Sequence, residues 1–283
     1  MGSLTGRTLF MSGGSRGIGL AIAKRVARDG ANVALVAKSA EPHPKLPGTI
    51  YTAAEEIEAA GGKALPIVGD IRFEDQVGAA VEQTVERFGG IDMCLNNASA
   101  IELSGVSELP IKRYDLMQSI NVRGTFVCIQ ACLEALGRSD QAHILTLSPP
   151  LSTDPRWLSP HAAYTVSKYG MTILTLGAAA ELAERGIAAN CLWPRTMIAT
   201  AAVQNLLGGD EAMSRSRRPE IVSEAAYRIF TQDPRTYTGQ ALMDDEVLAE
   251  GGVKDLSEYT YSDDAELTLD LFVDGWPEPA DAG

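Results

Sequence analysis

The sequence has few cysteines, no long apolar run and little positive charge. Its four cysteines include no Cys-x-x-Cys pair, which argues against a disulfide framework and favours a reduced, cytoplasmic protein with buried thiols. No apolar run reaches the length of about 20 residues that crosses a membrane. The start of the chain, MGSLTGRTLF, lacks the apolar core of a signal peptide. We expect no membrane partner, and we predict no metal site.

Basic residues are scarcest near the end of the chain. The net charge of −13 argues against nucleic acid as a partner, because phosphate backbones are bound by clustered cations. From Asp244 onward there are 13 acidic residues and one basic residue, Lys254, so that residues 1–243 are close to neutral. This change in charge predicts a main domain over residues 1–244 and an acidic C-terminal extension over residues 245–283.

The main domain alternates short apolar runs with amphipathic stretches. The run ANVALVAK is typical of a buried strand, whereas EDQVGAAVEQTVERFGG has helical period and ends at a glycine. One long helix is predicted over about 111–136. Buried strands that alternate with helices indicate a parallel sheet covered on both faces, and right-handed crossovers then give an α/β, doubly wound (Rossmann) sheet. The hydrophobic content of 45% is enough for one such domain.

A glycine-rich turn, SGGSRGIG, stands between the first predicted strand and the first predicted helix. Glycines at this point let the backbone approach a pyrophosphate, and the free amides of the helix start bind its negative charge. The turn therefore predicts a dinucleotide site. Its predicted cofactor-binding residues are Ser12, Gly13, Ser15, Arg16, Gly17, Ile18 and Gly19.

Tyr164 and Lys168 stand four residues apart in HAAYTVSKYG, so they share one face of a helix. Two polar side chains at this spacing are also common on an ordinary helix surface. A free phenol has a pKa of about 10 and is too weak an acid for catalysis near neutrality. A neighbouring ammonium favours the phenolate, and lowering the pKa by about three units corresponds to about 4 kcal/mol. The other motifs decide between a catalytic pair and a surface pair.

These motifs follow one another in the order found in the short-chain dehydrogenase/reductase family, which the chain resembles. They are Gly13-x-x-x-Gly17-x-Gly19, Asp70 after the third strand, NNAS after the fourth, Asn121 in a helix, and Tyr164-x-x-x-Lys168. The resemblance implies that Asp70 contacts the adenine ring and that Asn97 also binds the cofactor. It implies that Lys168 holds the nicotinamide ribose and that Asn121 holds a water linking Lys168 to solvent. Tyr164 would then exchange a proton with the substrate oxygen during hydride transfer.

A closer resemblance, to one branch of this family, covers most of the chain. It rests on the insertion PHPKLPGTIYTAAEEIEA, which ordinary members lack, and on AHILTLSPPL and LWPRT. Animal members of the branch are associated with peroxisomes and carry a sterol-carrier domain after the dehydrogenase. The last residues here, Asp-Ala-Gly, are no peroxisomal address. The family is usually dimeric or tetrameric, so a homodimer or homotetramer is expected.

The position of the catalytic serine departs from the family pattern. That serine usually closes the fifth strand about thirteen residues before the tyrosine, whereas Ser148 lies sixteen residues before Tyr164. A short insertion can restore the geometry, and Ser152 is the second candidate. We favour Ser148, whose hydroxyl would donate a hydrogen bond to the substrate oxygen.

Four arginines near the predicted substrate side have two alternative roles. Arg195 stands where Pro-Gly usually follows the sixth strand, and it either contacts an acidic substrate or points to solvent. The other three suit a carboxylate or a coenzyme A phosphate, or else form a solvated helix face; they are Arg215, Arg217 and Arg218.

The end of the second strand predicts a preference for NADP(H), with NAD(H) as the alternative. NAD enzymes of this architecture place an acid there, which accepts hydrogen bonds from the ribose hydroxyls and repels a 2′-phosphate. Here Lys38 stands at that point, and Arg16 reaches the same phosphate from the glycine-rich turn. His43 and Lys45 in the insertion either close over the phosphate or belong to a solvated loop.

Together these features predict an NADP(H)-dependent oxidoreductase that interconverts a small-molecule carbonyl and a secondary alcohol, with Tyr164 as acid and base. A lipid-derived substrate is among the candidates. Two alternatives stay open. One is a nucleotide-binding scaffold or redox sensor without turnover, which the displaced serine favours. The other is an enoyl reductase of the same fold, although such enzymes often have a wider tyrosine–lysine spacing.

Overall fold

One seven-stranded parallel sheet organises the computed structural model, which describes residues 3–43, 46–263 and 265–277. The strands lie in the order β3-β2-β1-β4-β5-β6-β7. They are β1 (Thr8–Ser12), β2 (Asn32–Ala37), β3 (Lys63–Val68), β4 (Met93–Asn96), β5 (His143–Leu147), β6 (Ala188–Trp193) and β7 (Ala241–Met243). The reversal of order between β1 and β4 defines a doubly wound sheet. The predicted fold class is confirmed.

Helices cover both faces of this sheet. They are α1 (Gly17–Ala27), α2 (Ile50–Ala59), α3 (Glu74–Phe88), α4 (Ile111–Gln118), α5 (Gly124–Leu136), α6 (Pro155–Leu158), α7 (Ala162–Leu182), α8 (Ala201–Leu206), α9 (Gly209–Ser214), α10 (Glu220–Phe230) and α11 (Asp244–Glu250). Successive strand side chains point to opposite faces, so Leu9 and Met11 of β1 pack in the layer of α1, α2 and α10. Phe10 packs in the layer of α3, α5 and α7. The two apolar layers fix the strand ends from which the loops of the site begin.

The crevice of a doubly wound sheet lies at the carboxyl ends of the strands, where the strand order reverses. In this protein that point is between β1 and β4, whose last residues, Ser12 and Asn96, are paired in register. The loops that follow both strands therefore meet at one edge of the sheet. The sequence places the glycine-rich turn and the NNAS motif in these two loops.

The helix predicted over 111–136 is interrupted by a π-helical turn. Ser119–Arg123 forms this wider turn between α4 and α5. The wider turn has one more residue than an α-helical turn, and it places the fully buried Asn121 against the loop after β4. Its side chain accepts a hydrogen bond from the amide of Ala100 (2.7 Å) and donates to the Ala100 carbonyl (2.9 Å) and to Ser167 Oγ (2.9 Å). Asn121 thus ties this loop to α7.

The acidic extension folds back across the carboxyl edge of the sheet. After α11, residues 268–273 run beside the segment that follows β6. The Met197 amide donates to the Thr268 carbonyl (2.9 Å), and the Asp270 amide donates to the Arg195 carbonyl (3.0 Å). Phe272 is only 4% exposed. The extension is therefore packed on its own domain through backbone hydrogen bonds and apolar contacts.

Other features of the described residues bear on function. Among them, no helix combines the length and apolarity needed to cross a membrane, and no group of three or more His, Cys, Asp or Glu side chains is arranged to hold a metal ion. The four cysteines are free and buried.

Candidate active site

The glycine-rich turn has a backbone that other residues adopt with difficulty. Gly13, Gly14 and Gly17 have φ angles of 77°, 95° and 59°, in the left-handed region that favours glycine. A Cβ atom at Gly13 or at Gly19 would lie 2.6 Å from Asn97 Nδ2. Because Gly13 and Gly19 have no side chains, the loop after β4 can lie close to the glycine-rich turn.

Hydrogen bonds hold these two loops together. Ser12 Oγ accepts from the amides of Asn97 and Ala98, both at 3.2 Å, and Asn97 Nδ2 donates to the Ser12 carbonyl at 3.0 Å. Ser12, Gly13, Gly19 and Asn97, which were all predicted to bind cofactor, are therefore brought together. Ser15 is buried and Ile18 is partly buried against the core.

The turn fits a dinucleotide phosphate. The first amides of α1, starting at Gly17, have no partner within the helix and point toward the turn. A cavity of about 280 Å³ borders Arg16, Gly17, Pro47 and Thr200. The Arg16 guanidinium donates to the Gly48 carbonyl (3.0 Å), while its Nε has no hydrogen-bond partner among the described residues. Burial lowers the pKa of Arg16. An anion in this cavity would meet an available donor and a positive charge.

Lys38 and Asp70, at the ends of β2 and β3, form an ion pair. Their Nζ and Oδ2 atoms are 3.4 Å apart, and the Lys38 side chain remains 58% exposed. Asp70 also accepts two hydrogen bonds from Arg72 Nε. Burial pushes the pKa of Asp70 upward, but the hydrogen bonds and charges of Arg72 and Lys38 outweigh it and lower that pKa to about 2. His43 bridges to Leu46, and Lys45 lies outside the described residues.

Tyr164 and Lys168 lie on the buried face of α7, and their exposed fractions are 4% and 3%. Lys168 Nζ donates to the Leu147 carbonyl at the end of β5 (2.7 Å). The ammonium also lies 5.0 Å from the ring centre of Trp193. The pair is therefore no surface feature of an ordinary helix.

The pKa values of this pair shift in the opposite sense to the one expected. Burial, with a smaller contribution from the negative charge of Asp270, raises the pKa of Tyr164 well above its ordinary value. Burial lowers the pKa of Lys168 to about 7, although Asp270 acts against that shift. The sequence led us to expect that Lys168 lowers the pKa of the phenol, whereas in this arrangement the loss of hydration dominates the shift.

The two serine candidates have different surroundings. Ser148 follows the Leu147 carbonyl that holds Lys168; it is fully buried, and its Oγ has no hydrogen-bond partner in the described part of the chain. Ser152 lies in the next loop, where its Oγ accepts from the Asp154 amide (3.2 Å). Of the two, Ser148 is the one that directly follows the residue bonded to Lys168.

The C-terminal extension contributes residues that the sequence motifs did not reveal. The Phe272 ring is stacked on Tyr164, with centroids 6.0 Å apart and an angle of 29° between the rings. Trp193 Nε1 donates to the Leu271 carbonyl (2.8 Å). Asp270 is partly buried, and its charge acts on both Tyr164 and Lys168. The signal in the sequence is the apolar character of LTLDLFV within an acidic segment, which favours packing of the extension on its own domain or on a neighbouring subunit.

Neither role predicted for Arg195 is correct. Its side chain is 8% exposed, and Nε pairs with the equally buried carboxylate of Asp245 at 2.9 Å. It also pairs with Glu246 and donates to the Gly275 carbonyl (3.1 Å). Arg195 contacts neither solvent nor an acidic substrate, because it anchors the extension.

The prediction of a solvated helix face is wrong for Arg217. That residue is 6% exposed, and its guanidinium lies 5.7 Å from the ring centre of Trp276. Arg215 Nε donates to the Glu266 carbonyl (3.1 Å), whereas Arg218 is exposed. Two of the three arginines therefore hold the extension in place.

Comparison with known proteins agrees with this site. Residues 7–209 match the family model of the short chain dehydrogenases, and the chain belongs to that family. It is 53% identical over 278 residues to hydroxysteroid dehydrogenase-like protein 2 of Danio rerio, a match that covers 98% of this chain and 66% of that protein. The chain spans 52% of the protein of the same name from Rattus norvegicus. The closer resemblance inferred from the insertion is thus confirmed.

Two solved structures extend the comparison. A short chain dehydrogenase from Mycobacterium thermoresistibile is 63% identical, with a TM-score of 0.92 and coverage of 96% of each chain. A metagenomic short-chain oxidoreductase in complex with NADP is 25% identical, with a TM-score of 0.70 over 86% of this chain and 98% of that one.

Loss of the buried Arg195 ion pair is expected to destabilise the protein. Arg195→Ala leaves the Asp245 carboxylate buried without its partner, which lowers the free energy of unfolding by about 3–5 kcal/mol. Arg156→Ala is the control, because Arg156 and its partner Asp274 are 52% and 60% exposed. The control should lose less than about 1 kcal/mol. Urea unfolding measures both values, and equal losses would contradict an anchoring role for Arg195.

Proposed function

We propose that this protein is an NADP(H)-dependent oxidoreductase that interconverts a carbonyl and a secondary alcohol. The proposal rests chiefly on one observation: Tyr164 and Lys168 are buried side by side on α7, with Lys168 held by the end of β5. The family and the glycine-rich turn support hydride transfer from a nicotinamide cofactor. Because the chain spans only part of its curated relatives, their activity is carried over as part of this proposal.

The residues of the site divide the chemistry among them. Bound NADPH supplies the hydride. The Tyr164 phenol donates its proton to the carbonyl oxygen, and the positive charge of Lys168 stabilises the phenolate that remains. The hydroxyl of Ser148 donates a hydrogen bond to the same oxygen, an effect often worth about a hundredfold in rate. In the reverse direction Tyr164 accepts the proton of the alcohol.

The surroundings of Tyr164 support an apolar, lipid-derived substrate. The partly buried side chains packed in this cluster are Ala100, Ile101, Leu103, Leu109, Trp157, Ala163, Tyr169, Leu269 and Leu271. Apolar surroundings of this composition favour hydrocarbon groups over charged ones. The four free, buried cysteines support a reducing compartment such as the cytoplasm.

A nucleotide-binding protein without turnover is the second candidate. Phe272 covers the phenol, and burial raises the pKa of Tyr164 well above its ordinary value. Both observations favour a silent site, so a direct test of turnover separates the two functions.

Tyr164→Phe is expected to abolish turnover while leaving cofactor binding intact. The variant keeps the ring and loses the proton, so kcat should fall by at least about a hundredfold. Oxidation of NADPH is followed by fluorescence with a panel of ketones, and the dissociation constant of NADPH by titration. Tyr114→Phe, at an exposed tyrosine of α4, is the matched control. Turnover by Tyr164→Phe near the wild-type rate would sink the acid–base assignment.

The preference for NADPH is expected to depend on Lys38. Its exposed ammonium and Arg16 support charge-assisted bonds to a 2′-phosphate. Wild type should bind NADPH at least about tenfold more tightly than NADH, and Lys38→Asp should reverse this order. Lys63→Asp makes the same charge change at the amino end of β3 and serves as control. Tighter NADH binding by wild type would refute the preference.

We also propose a homo-oligomer formed through the outer faces of α5 and α7. Phe126, Val166 and Ile173 are 48%, 56% and 59% exposed there, and such apolar side chains on packed helices suit a second copy. Val166→Glu with Ile173→Glu should give a monomer by light scattering. Val106→Glu, at an 81% exposed loop residue, is the control. An unchanged mass in the double variant would rule out this interface.

A further inference from the structure

The side of Tyr164 that a substrate must approach is filled by the protein itself. Residues 268–276, here called the cover segment, bring the Phe272 ring into an aromatic group. The centroid of this ring lies 5.4 Å from Tyr169, 5.6 Å from His161 and 6.0 Å from Trp193. With Tyr164 4% exposed, its phenol meets no outside molecule unless one of these neighbours moves.

Phe272 is the neighbour that can move most readily. Tyr169 and His161 belong to α7 and its start, and Trp193 ends β6, so the sheet and helix hydrogen bonds fix them. Phe272 lies outside any helix or strand, and its φ of 68° is the one positive value among the non-glycine residues described. A bulky side chain is strained in that region. A change of the backbone at Phe272 to a negative φ relieves this strain and moves the ring off the phenol.

We propose that Phe272 is the substrate-discriminating residue of this site: its ring occupies the place of the substrate's apolar group and must be displaced by it. This inference rests on the proposed carbonyl–alcohol function. The ring can turn aside for a slim, flexible chain. A rigid bicyclic group needs the whole volume that the Phe272 ring occupies, and the surrounding aromatic side chains leave the displaced ring no room.

The charge of the cover segment narrows the class of substrate further. Asp270 precedes Phe272 by two residues, and its carboxylate acts on both Tyr164 and Lys168. The surroundings of Phe272 are aromatic and buried, and burial raises the pKa of Asp270 itself to about 7, so burying a further charged group there is unfavourable. The ligand that replaces the ring is therefore a neutral, apolar ketone or alcohol. The size of the side chain at position 272 determines which of these ligands fits.

The test compares two ketones in the full-length protein. The specificity constant kcat/KM with NADPH is measured for 2-octanone and for 1-tetralone in wild type, Phe272→Ala and Phe272→Leu. The ratio of kcat/KM for 1-tetralone to kcat/KM for 2-octanone should rise at least about tenfold in Phe272→Ala, because a pocket discriminates ligands that differ by a few carbon atoms by about this factor. In Phe272→Leu the ratio should rise less. Tyr261→Ala changes a 46% exposed aromatic residue of the extension and should leave the ratio unchanged.

A second measurement does not depend on turnover. The neutral, apolar dye N-phenyl-1-naphthylamine should gain one site in Phe272→Ala, and 1-tetralone should displace it. Thermal melts establish whether each variant is folded. If Phe272→Ala is unfolded, Phe272→Leu, which retains an apolar side chain, is used in its place. A ratio within twofold of wild type in a folded variant, or no gain of a dye site, overturns the role of Phe272. If wild type reduces no ketone, the carbonyl function fails, and the dye titration alone decides the role of Phe272.

Discussion

The hydrogen bonds between Ser12 and the loop after β4 hold the whole site at the point where the strand order reverses. Ser12 Oγ accepts hydrogen bonds from the backbone amides of Asn97 and Ala98, and the Asn97 side chain donates one to the Ser12 carbonyl. This contact keeps the two loops at a fixed distance, and Gly13 and Gly19 make room for the Asn97 side chain. A larger residue at either glycine would push the loops apart. The next residues of the same loop reach Asn121, which binds Ala100 and joins the cofactor end of the crevice to α7.

A second constraint comes from the buried ion pair between Arg195 and Asp245. Burying two charges costs hydration free energy, which close pairing and added hydrogen bonds offset. The geometry fixes the start of α11 against the segment after β6. The cover segment then runs back beside the residues that follow β6. Near the end of the cover segment, the Gly275 carbonyl accepts a hydrogen bond from Arg195. One arginine thus contacts the start of the extension at Asp245 and the cover segment at Gly275.

Much of the fold could be predicted from the sequence because its signals are local. Alternating apolar runs and helical periods specify β1 to β7 and their crossovers, and the spacing of Tyr164 and Lys168 places both on one helix face. The position of the extension could not be predicted in this way. Its contacts join residues far apart, such as Trp157 and Asp274, which are 117 positions apart, and no period marks them. Arg195 was misassigned for the same reason, since its partner lies 50 residues further along the chain. The cofactor and catalytic roles of the individual residues remain predictions.

Burial, to which Phe272 of the extension contributes, affects Tyr164 and Lys168 in opposite directions. It raises the pKa of the Tyr164 phenol and lowers that of the Lys168 amine, because each shift opposes the charged form. Phe272 lies directly on the phenol, and Asp270 acts electrostatically on both groups. When the segment moves aside, the phenol pKa falls toward its ordinary value and the amine pKa rises toward its own. A charged ammonium beside a phenol that can ionise is the state that proton transfer requires. A movement of the extension would therefore change both the exposure of Tyr164 and its pKa.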